Sequence, residues 1–248
     1  MTLLAFFKEN PKAALGFSGG VDSSYLLYAG VQAGADIHPY YIKTAFQPQF
    51  ELDDAERLCA QLCVPLTVLE LDVLKNEAVT ANPPDRCYHC KTALFGALSA
   101  QALADGYTLL LDGTNASDDA GDRPGMRALK ELHVCSPLRE CGLTKAEIRR
   151  LSREAGLFTW DKPAYACLAT RIPSGDAITA KKLLATERAE AFLFSLGLTD
   201  FRVRNYHGAA RLQFPEAQLN AVLAHRAEIL QELKKDYPAV LLDLEVRG

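Results

Sequence analysis

Ser18-Gly19-Gly20-Val21-Asp22-Ser23-Ser24 lies between an apolar run, Ala13-Ala14-Leu15-Gly16-Phe17, and the helix-forming Tyr25-Leu26-Leu27-Tyr28. The run has the length and composition of a short buried strand. A glycine pair at a strand-to-helix junction lets backbone N–H groups turn towards an anion. The helix N-terminus adds unpaired donors and the positive end of its dipole. The hydroxyls of Ser18, Ser23 and Ser24 add more donors. Two glycines alone fit an ordinary turn, but the whole string directly after a strand points to a phosphate cradle. No Gly-Lys-Ser/Thr follows, so it is not a Walker loop.

A strand feeding such a loop and a helix commits the chain to an α/β fold, and the following residues continue the pattern. Strands are predicted at Ala13–Phe17, Ile37–Ile42, Leu66–Leu71 and Tyr107–Leu111, and helices near Val21–Ala33, Leu52–Cys63 and Cys90–Ala104. The alternation predicts a parallel sheet covered by helices, with ligands at the carboxyl ends of the strands. The glycine loop and Asp112-Gly113-Thr114-Asn115 both sit at such ends. Thr144-Lys145-Ala146-Glu147 is a capping box that starts a helix, with Gly156 as its stop. Trp160 to Gly175 has no period and reads as a long loop carrying function.

Two domains are expected, 1–175 for nucleotide binding and 176–248 as a small α/β unit. The second opens with a helix over Thr179–Leu196, ending at Gly197. Phe201–Asn205 and Ala210–Phe214 alternate like strands, with His207-Gly208-Ala209 turning between them. Their register puts Arg202, Arg204 and Arg211 on one shared face. A helix near Glu216–Lys235 and a strand at Val240–Leu244 complete the unit.

At 248 residues with 49% hydrophobic content the chain can bury a sizeable core. No apolar run reaches the ~18 residues of a membrane span. The N-terminus lacks the order of a signal peptide, so a cytoplasmic location is expected. The net charge of −4 disfavours a nucleic-acid partner, which needs a basic face. Seven cysteines fit thiols, metal ligation or catalysis better than a disulfide framework.

Cys87 and Cys90 form a Cys-x-x-Cys, a spacing that suits zinc, iron or a redox pair, or two incidental thiols at a helix start. Cys59 and Cys63 lie on a helical apolar stripe and read as core. Cys135 and Cys141 read as structural. Cys167 stands four residues from Arg171, and a basic neighbour favours the thiolate.

The glycine loop resembles the PP-loop of enzymes that adenylate a substrate with ATP and release pyrophosphate. Four further segments narrow the likeness: Asn82-Pro83-Pro84-Asp85-Arg86-Cys87-Tyr88-His89-Cys90-Lys91, Asp112 to Asp119, Asp122-Arg123-Pro124-Gly125, and Cys167-Leu168-Ala169-Thr170-Arg171-Ile172-Pro173. Together they resemble the LarE family of ATP-dependent sulfur transferases. The resemblance implies a Rossmann-like parallel sheet of the PP-loop type. It also implies ATP and Mg²⁺ as cofactors and a small-molecule nucleotide substrate. Functional partners would be those of nickel-pincer nucleotide synthesis, and the chain would form a homo-oligomer through its small domains.

Residue by residue, the resemblance puts ATP on Ser18, Gly19, Gly20, Val21, Asp22, Ser23 and Ser24, with Gly113, Asn115 and Arg127. It puts the substrate on Asp118, Arg123, Arg171, Arg202 and Arg204, with the nucleotide phosphate near the last two. Cys167 and Glu190 become the catalytic residues. The resemblance implies that a carboxylate of pyridinium-3,5-biscarboxylic acid mononucleotide is adenylated and converted to a thiocarboxylic acid. The sulfur comes either from Cys167 itself, leaving dehydroalanine, or from a sulfide on a [4Fe-4S] cluster held by Cys87, Cys90 and Cys167. Gln213 stands where an acidic residue is expected, and Thr170 where serine is commoner. The competing readings are a PP-loop tRNA thiolase, a NAD synthetase-like ATP-dependent ligase that would leave the cysteines unused, and a nucleotide sensor without turnover.

Overall fold

The computed structural model describes residues 1–118 and 124–246. The elements run α1 (Leu3–Glu9), β1 (Lys12–Gly16), α2 (Val21–Gln32), β2 (Asp36–Lys43), α3 (Gln49–Gln61), β3 (Thr67–Glu70) and α4 (Glu77–Thr80). There follow α5 (Arg86–Ala104), β4 (Leu110–Leu111), α6 (Pro124–Glu131), α7 (Pro137–Glu140) and α8 (Lys145–Glu154). The last third holds α9 (Ala180–Ser195), β5 (Arg202–Tyr206), β6 (Ala209–Gln213), α10 (Leu219–Ala224), α11 (Arg226–Leu233) and β7 (Val240–Leu242).

Contacts divide the chain into two compact units, Met1–Val73 with Asp85–Ala164, and Leu74–Pro84 with Tyr165–Gly248. The boundary expected from the sequence is 175/176. Asn82 explains why the loop before 175 and an earlier segment go with the tail. Its fully buried amide donates to the carbonyls of Ile172, Pro173 and Asp176 at 3.3, 2.7 and 3.2 Å. Its own carbonyl accepts from the Gly175 N–H at 2.9 Å.

The first unit is built on a four-stranded parallel sheet of order β3-β2-β1-β4. β1 lies inside it, and Ala13, Ala14 and Leu15 are wholly buried. A strand covered on both faces must be apolar throughout. α2, α3, α8 and Phe7 of α1 pack on one face, while Leu98 and Ala102 of α5 pack on the other. Each buried leucine in these layers contributes roughly 1.5–3 kcal/mol. β4 is shorter than predicted at its N-terminal end, where pairing with β1 begins at Leu110, opposite Ala14, and on its other edge Leu111 bridges to Cys135. The chain builds β2 and β3 to one side of β1 and then crosses to place β4 on the other. That reversal opens a crevice at the carboxyl ends of β1 and β4.

The second unit carries a three-stranded sheet, β5-β6-β7. β5 and β6 form a hairpin whose turn residues His207 and Gly208 have φ of 50° and 83°, the signature of a type I′ turn. α9 packs its Ala185, Ala189 and Leu193 against Val203, Leu212 and Phe214 on one face. The single tail helix predicted near Glu216–Lys235 is instead a 3₁₀ turn followed by α10 and α11. His225 leaves the helical region between them and its ring meets Glu228 at 2.9 Å.

Candidate functional site

The glycine loop occupies the crevice. Gly19 has φ of +67°, a region that L-residues seldom adopt, and a Cβ there would press on Ala55 and the Glu51 carbonyl at 3.2 Å. α2 starts at Val21 with Gly20 as its N-cap, and no side chain caps it. The orphan N–H groups of its first turn are therefore left for a ligand. Ser18 and Ser23 join through their hydroxyls at 3.1 Å and face a cavity of about 230 Å³. Gly20, Asp22, Gly113 and Asp118 also line it. Val21 and Ser24 point elsewhere, Val21 into the core and Ser24 with its hydroxyl buried and, among the described residues, without a partner.

The second wall is the turn after β4. Asp112 accepts from Ser136 Oγ at 2.6 Å and from the Thr114 hydroxyl and N–H, which fixes Gly113. Buried Asn115 holds the turn from within, accepting from Ser117 N at 2.7 Å while its own N–H donates to Asp118 Oδ2 at 2.9 Å. Gly113 touches the glycine loop's helix so closely that a Cβ would lie 2.9 Å from the Ser23 nitrogen. A methyl forced into such a contact costs about 1–3 kcal/mol. Gly113→Ala is therefore expected to destabilise the first unit by about 1–3 kcal/mol, read by urea unfolding.

Asp22 is the acidic group of the cavity. Burial, and Asp118 to a smaller degree, push its carboxyl above the ordinary range, against the pull of Lys145 and Asn115. Oδ2 accepts from Lys145 at 2.5 Å, whereas Oδ1 is buried with no hydrogen-bond partner among the described residues. An orphaned carboxylate oxygen among hydroxyls suits a hard cation. Mg²⁺ needs only one or two protein carboxylates when phosphates supply the rest, so these residues fit it.

A second cavity of about 140 Å³ shares Gly16, Ser18 and Phe95 with the first. Its walls are largely apolar and include Tyr40, Ile42, Leu94 and Leu98. An apolar pocket joined to an anion cradle has the character of a nucleotide site. Phe95 escaped the sequence reading because a core position on α5 and a cavity wall share one apolar signal. Its one trace is Gly16, where a Cβ would meet the Phe95 ring at 3.0 Å.

Arg127 lies apart from these cavities' walls. Its guanidinium stacks on the Tyr88 ring at 4.1 Å, and its Nε is 3.9 Å from Glu131. Arg123 falls outside the described residues.

All seven cysteines are thiols. Cys59 is buried in the core as predicted, but Cys63 is exposed. Cys63 lies past the end of α3 with φ of 55°, so the helical stripe stops before reaching it. Cys135 joins the edge of the sheet. Cys87 sits on the first turn of α5 and Cys90 at the start of the second, with Arg86 Nη2 3.5 Å from the Cys87 sulfur. Cys167 belongs to the second unit. Among the described residues no three His, Cys, Asp or Glu side chains are grouped to hold a metal ion.

In the second unit Cys167 caps a 3₁₀ turn, Leu168–Arg171, and is half-buried. Its carbonyl accepts from the Thr170 N–H and hydroxyl at 2.9 and 2.8 Å, so the hydroxyl that threonine keeps is used in the loop. Arg171 is completely buried. It is paired with Glu190 through Nε at 2.8 Å and Nη2 at 3.0 Å, and Nη1 holds the Ala166 carbonyl and the Thr170 hydroxyl, each at 2.9 Å. Glu190 also accepts from Tyr165 Oη at 2.5 Å and from Val203 N at 2.9 Å. Both of its oxygens are thus engaged.

The strand register places Arg204 opposite Arg211 and Arg202 opposite Gln213, as the alternation predicts. Arg204 and Arg211 line a cavity of about 300 Å³ with Thr170, Tyr206 and Gln213. Arg202 instead turns inward, bonding the Phe201 carbonyl at 2.6 Å and lying over the Tyr165 ring. Gln213 accepts from Arg204 Nε and donates to Asp243 at 2.8 Å.

No family model matches the chain. An uncharacterized protein of Synechocystis sp. is 37% identical over 249 residues, covering 98% of this chain and 92% of the relative. The pyridinium-3,5-bisthiocarboxylic acid mononucleotide synthase of Lactiplantibacillus plantarum is 30% identical over 246 residues, 98% of this chain and 89% of the relative. A tRNA-specific 2-thiouridylase of Dichelobacter nodosus is 30% identical over 186 residues, 60% of this chain and 49% of the relative.

Proposed function

Since the chain belongs to the LarE family of sulfur-transferring enzymes, we propose that it uses ATP to activate a carboxylate of pyridinium-3,5-biscarboxylic acid mononucleotide and replaces an oxygen of that carboxylate with sulfur. The product serves nickel-pincer nucleotide synthesis. The observation that carries this reading is the paired cavity at the reversal of the sheet, apolar on one side and an anion cradle on the other, with a carboxylate oxygen of Asp22 that no described residue bonds. The apolar side takes the adenine. The glycine loop and the first turn of α2 take the phosphates. Asp22 is the residue that would hold Mg²⁺, which supplies charge neutralisation to the departing pyrophosphate.

The carboxylate oxygen attacks the α-phosphorus and pyrophosphate leaves, giving an acyl adenylate. The Cys167 thiolate then attacks the acyl carbon and AMP leaves. Loss of the Cys167 Cα proton breaks its Cβ–S bond, freeing the thiocarboxylate and leaving dehydroalanine. Arg171 and Thr170 fix the carbonyls around this cysteine. Arg204, whose Nε and Nη1 are held by Gln213 and the Thr170 carbonyl, would present its cationic edge to the substrate phosphate together with Arg211 in the same cavity. Glu190 positions Arg171 rather than moving a proton, because each of its oxygens already accepts hydrogen bonds.

A second reading is favoured by the Cys-x-x-Cys on one helical turn, where Cys87 is exposed and Cys90 half-buried. There Cys87, Cys90 and Cys167 would hold an iron–sulfur cluster.

The test is incubation of the anaerobic protein with ATP, Mg²⁺ and the biscarboxylate nucleotide, scoring pyrophosphate, thiocarboxylate and the mass of the Cys167 peptide. Asp22→Ala should release no pyrophosphate, and normal release would remove the assignment of the loop. Loss of H₂S from the Cys167 peptide supports the sacrificial route. Iron that disappears in Cys87→Ala, with an unchanged Cys167 mass after turnover, supports the cluster.

A further inference from the structure

Lys162 is a lysine for which the mechanism above has no use. Its ammonium is largely buried, with 13% of the side chain exposed, and pairs with Asp54 at 2.7 Å. It also donates to the Gly19 carbonyl at 3.3 Å, and the Phe50 ring lies 5.7 Å away. The lysine itself is held from behind. Arg149 binds the carbonyls of Trp160 and Lys162 at 2.7 and 2.8 Å, fixing the turn that carries it. Neither Gly19 nor Lys162 lines the anion cavity, whereas Ser18 and Gly20 do.

An anion cradle works only while its N–H groups face the ligand and its carbonyls face away. The peptide between Gly19 and Gly20 is the weakest part of this one. Two glycines flank it, so its plane can rotate with little steric resistance. A half-turn would point the Gly19 oxygen at the phosphates and turn the Gly20 N–H, which donates to Ser18 Oγ at 3.4 Å on the cavity wall, away from them. We propose that Lys162 is a positioning residue that prevents this rotation by holding the Gly19 carbonyl on the side away from the cavity. The proposal rests on reading the cradle as an ATP site.

The backbone supplies a specific check. Gly20 has φ of −81° and ψ of 165°, a conformation that alanine accepts, and a Cβ there would meet only the Ser18 hydroxyl at 3.5 Å. Rotating the peptide by 180° would carry that φ from −81° to about +100°, which alanine resists. Gly20→Ala should therefore do by sterics what Lys162 does by a hydrogen bond.

The experiment is calorimetric titration of the whole protein with ATP and, separately, with adenosine. Lys162→Met keeps most of the apolar stem and removes the charge. It should weaken ATP binding about tenfold or more, the usual worth of a charge-assisted hydrogen bond, and leave adenosine binding within about twofold. In the Gly20→Ala background the same substitution should weaken ATP binding less than about threefold, measured against Gly20→Ala alone. An equal loss in both backgrounds, or an equal loss of ATP and adenosine, overturns the proposal. Lys162→Met that binds ATP like the wild type overturns it too. Wild-type protein that binds adenosine but shows no preference for ATP overturns the cradle reading itself, and this proposal with it.

Discussion

Glu190→Ala should destabilise the second unit by about 3–5 kcal/mol, the cost of leaving a buried charge without its partner. Arg171 has no exposed surface in its side chain, and Glu190 supplies two of its hydrogen bonds. Removing the carboxylate also strands the Tyr165 hydroxyl and the Val203 N–H. The measurement is urea unfolding followed by a probe in the second unit, because two units need not melt together. Glu190→Gln separates two roles for this residue. It keeps the shape, so a residue needed only as a base would lose activity and keep stability. A positioning residue loses both, since an amide cannot accept at all four contacts. A Glu190→Gln variant of undiminished stability without activity would return Glu190 to the role of a base. Replacing both members of the pair by apolar residues should recover part of the loss, as buried pairs are often dispensable when removed together.

Cys167→Ser should make no thiocarboxylate while still releasing pyrophosphate. The 3₁₀ turn is held by the carbonyl of residue 167, which accepts from the Thr170 N–H and hydroxyl. Serine therefore leaves the turn in place and removes only the sulfur. Hydroxyl attack on the acyl adenylate would give at most an ester, detectable by mass as a substrate adduct. Any sulfur transfer by Cys167→Ser would exclude this residue from the chemistry. Loss of pyrophosphate release together with sulfur transfer would mean that the two half-reactions are not separable in this way.

Much of this was legible in the sequence wherever the signal is local. The glycine loop announces itself because a positive φ and unpaired N–H groups demand particular residues in consecutive positions. The capping box at Thr144 and the alternation around Arg202, Arg204 and Arg211 are local in the same sense, and the structure has them as read. What was missed acts at a distance. Lys145 and Lys162 reach Asp22 and Gly19 across 123 and 143 residues, and no spacing rule relates such positions. Parity put Arg202 on the correct face of β5 but could not foresee its guanidinium folding back onto the Phe201 carbonyl. Cys63 was assigned to the core because the apolar stripe continues through it, while the helix beneath ends before it.

The grip of Asn82 on the cysteine loop bears on the order in which the chain can be assembled. Its amide and carbonyl find their partners 90 to 94 residues later. During synthesis the segment Leu74–Pro84 leaves the ribosome well before Tyr165 exists. The strands of the first sheet can pair meanwhile, from β1 through β4. The second unit cannot close until the C-terminal third has been made, and closing so long a loop is intrinsically slow. An asparagine destined for full burial must therefore remain hydrated through most of translation. The thiol loop becomes ordered only after the four-stranded sheet has had time to form.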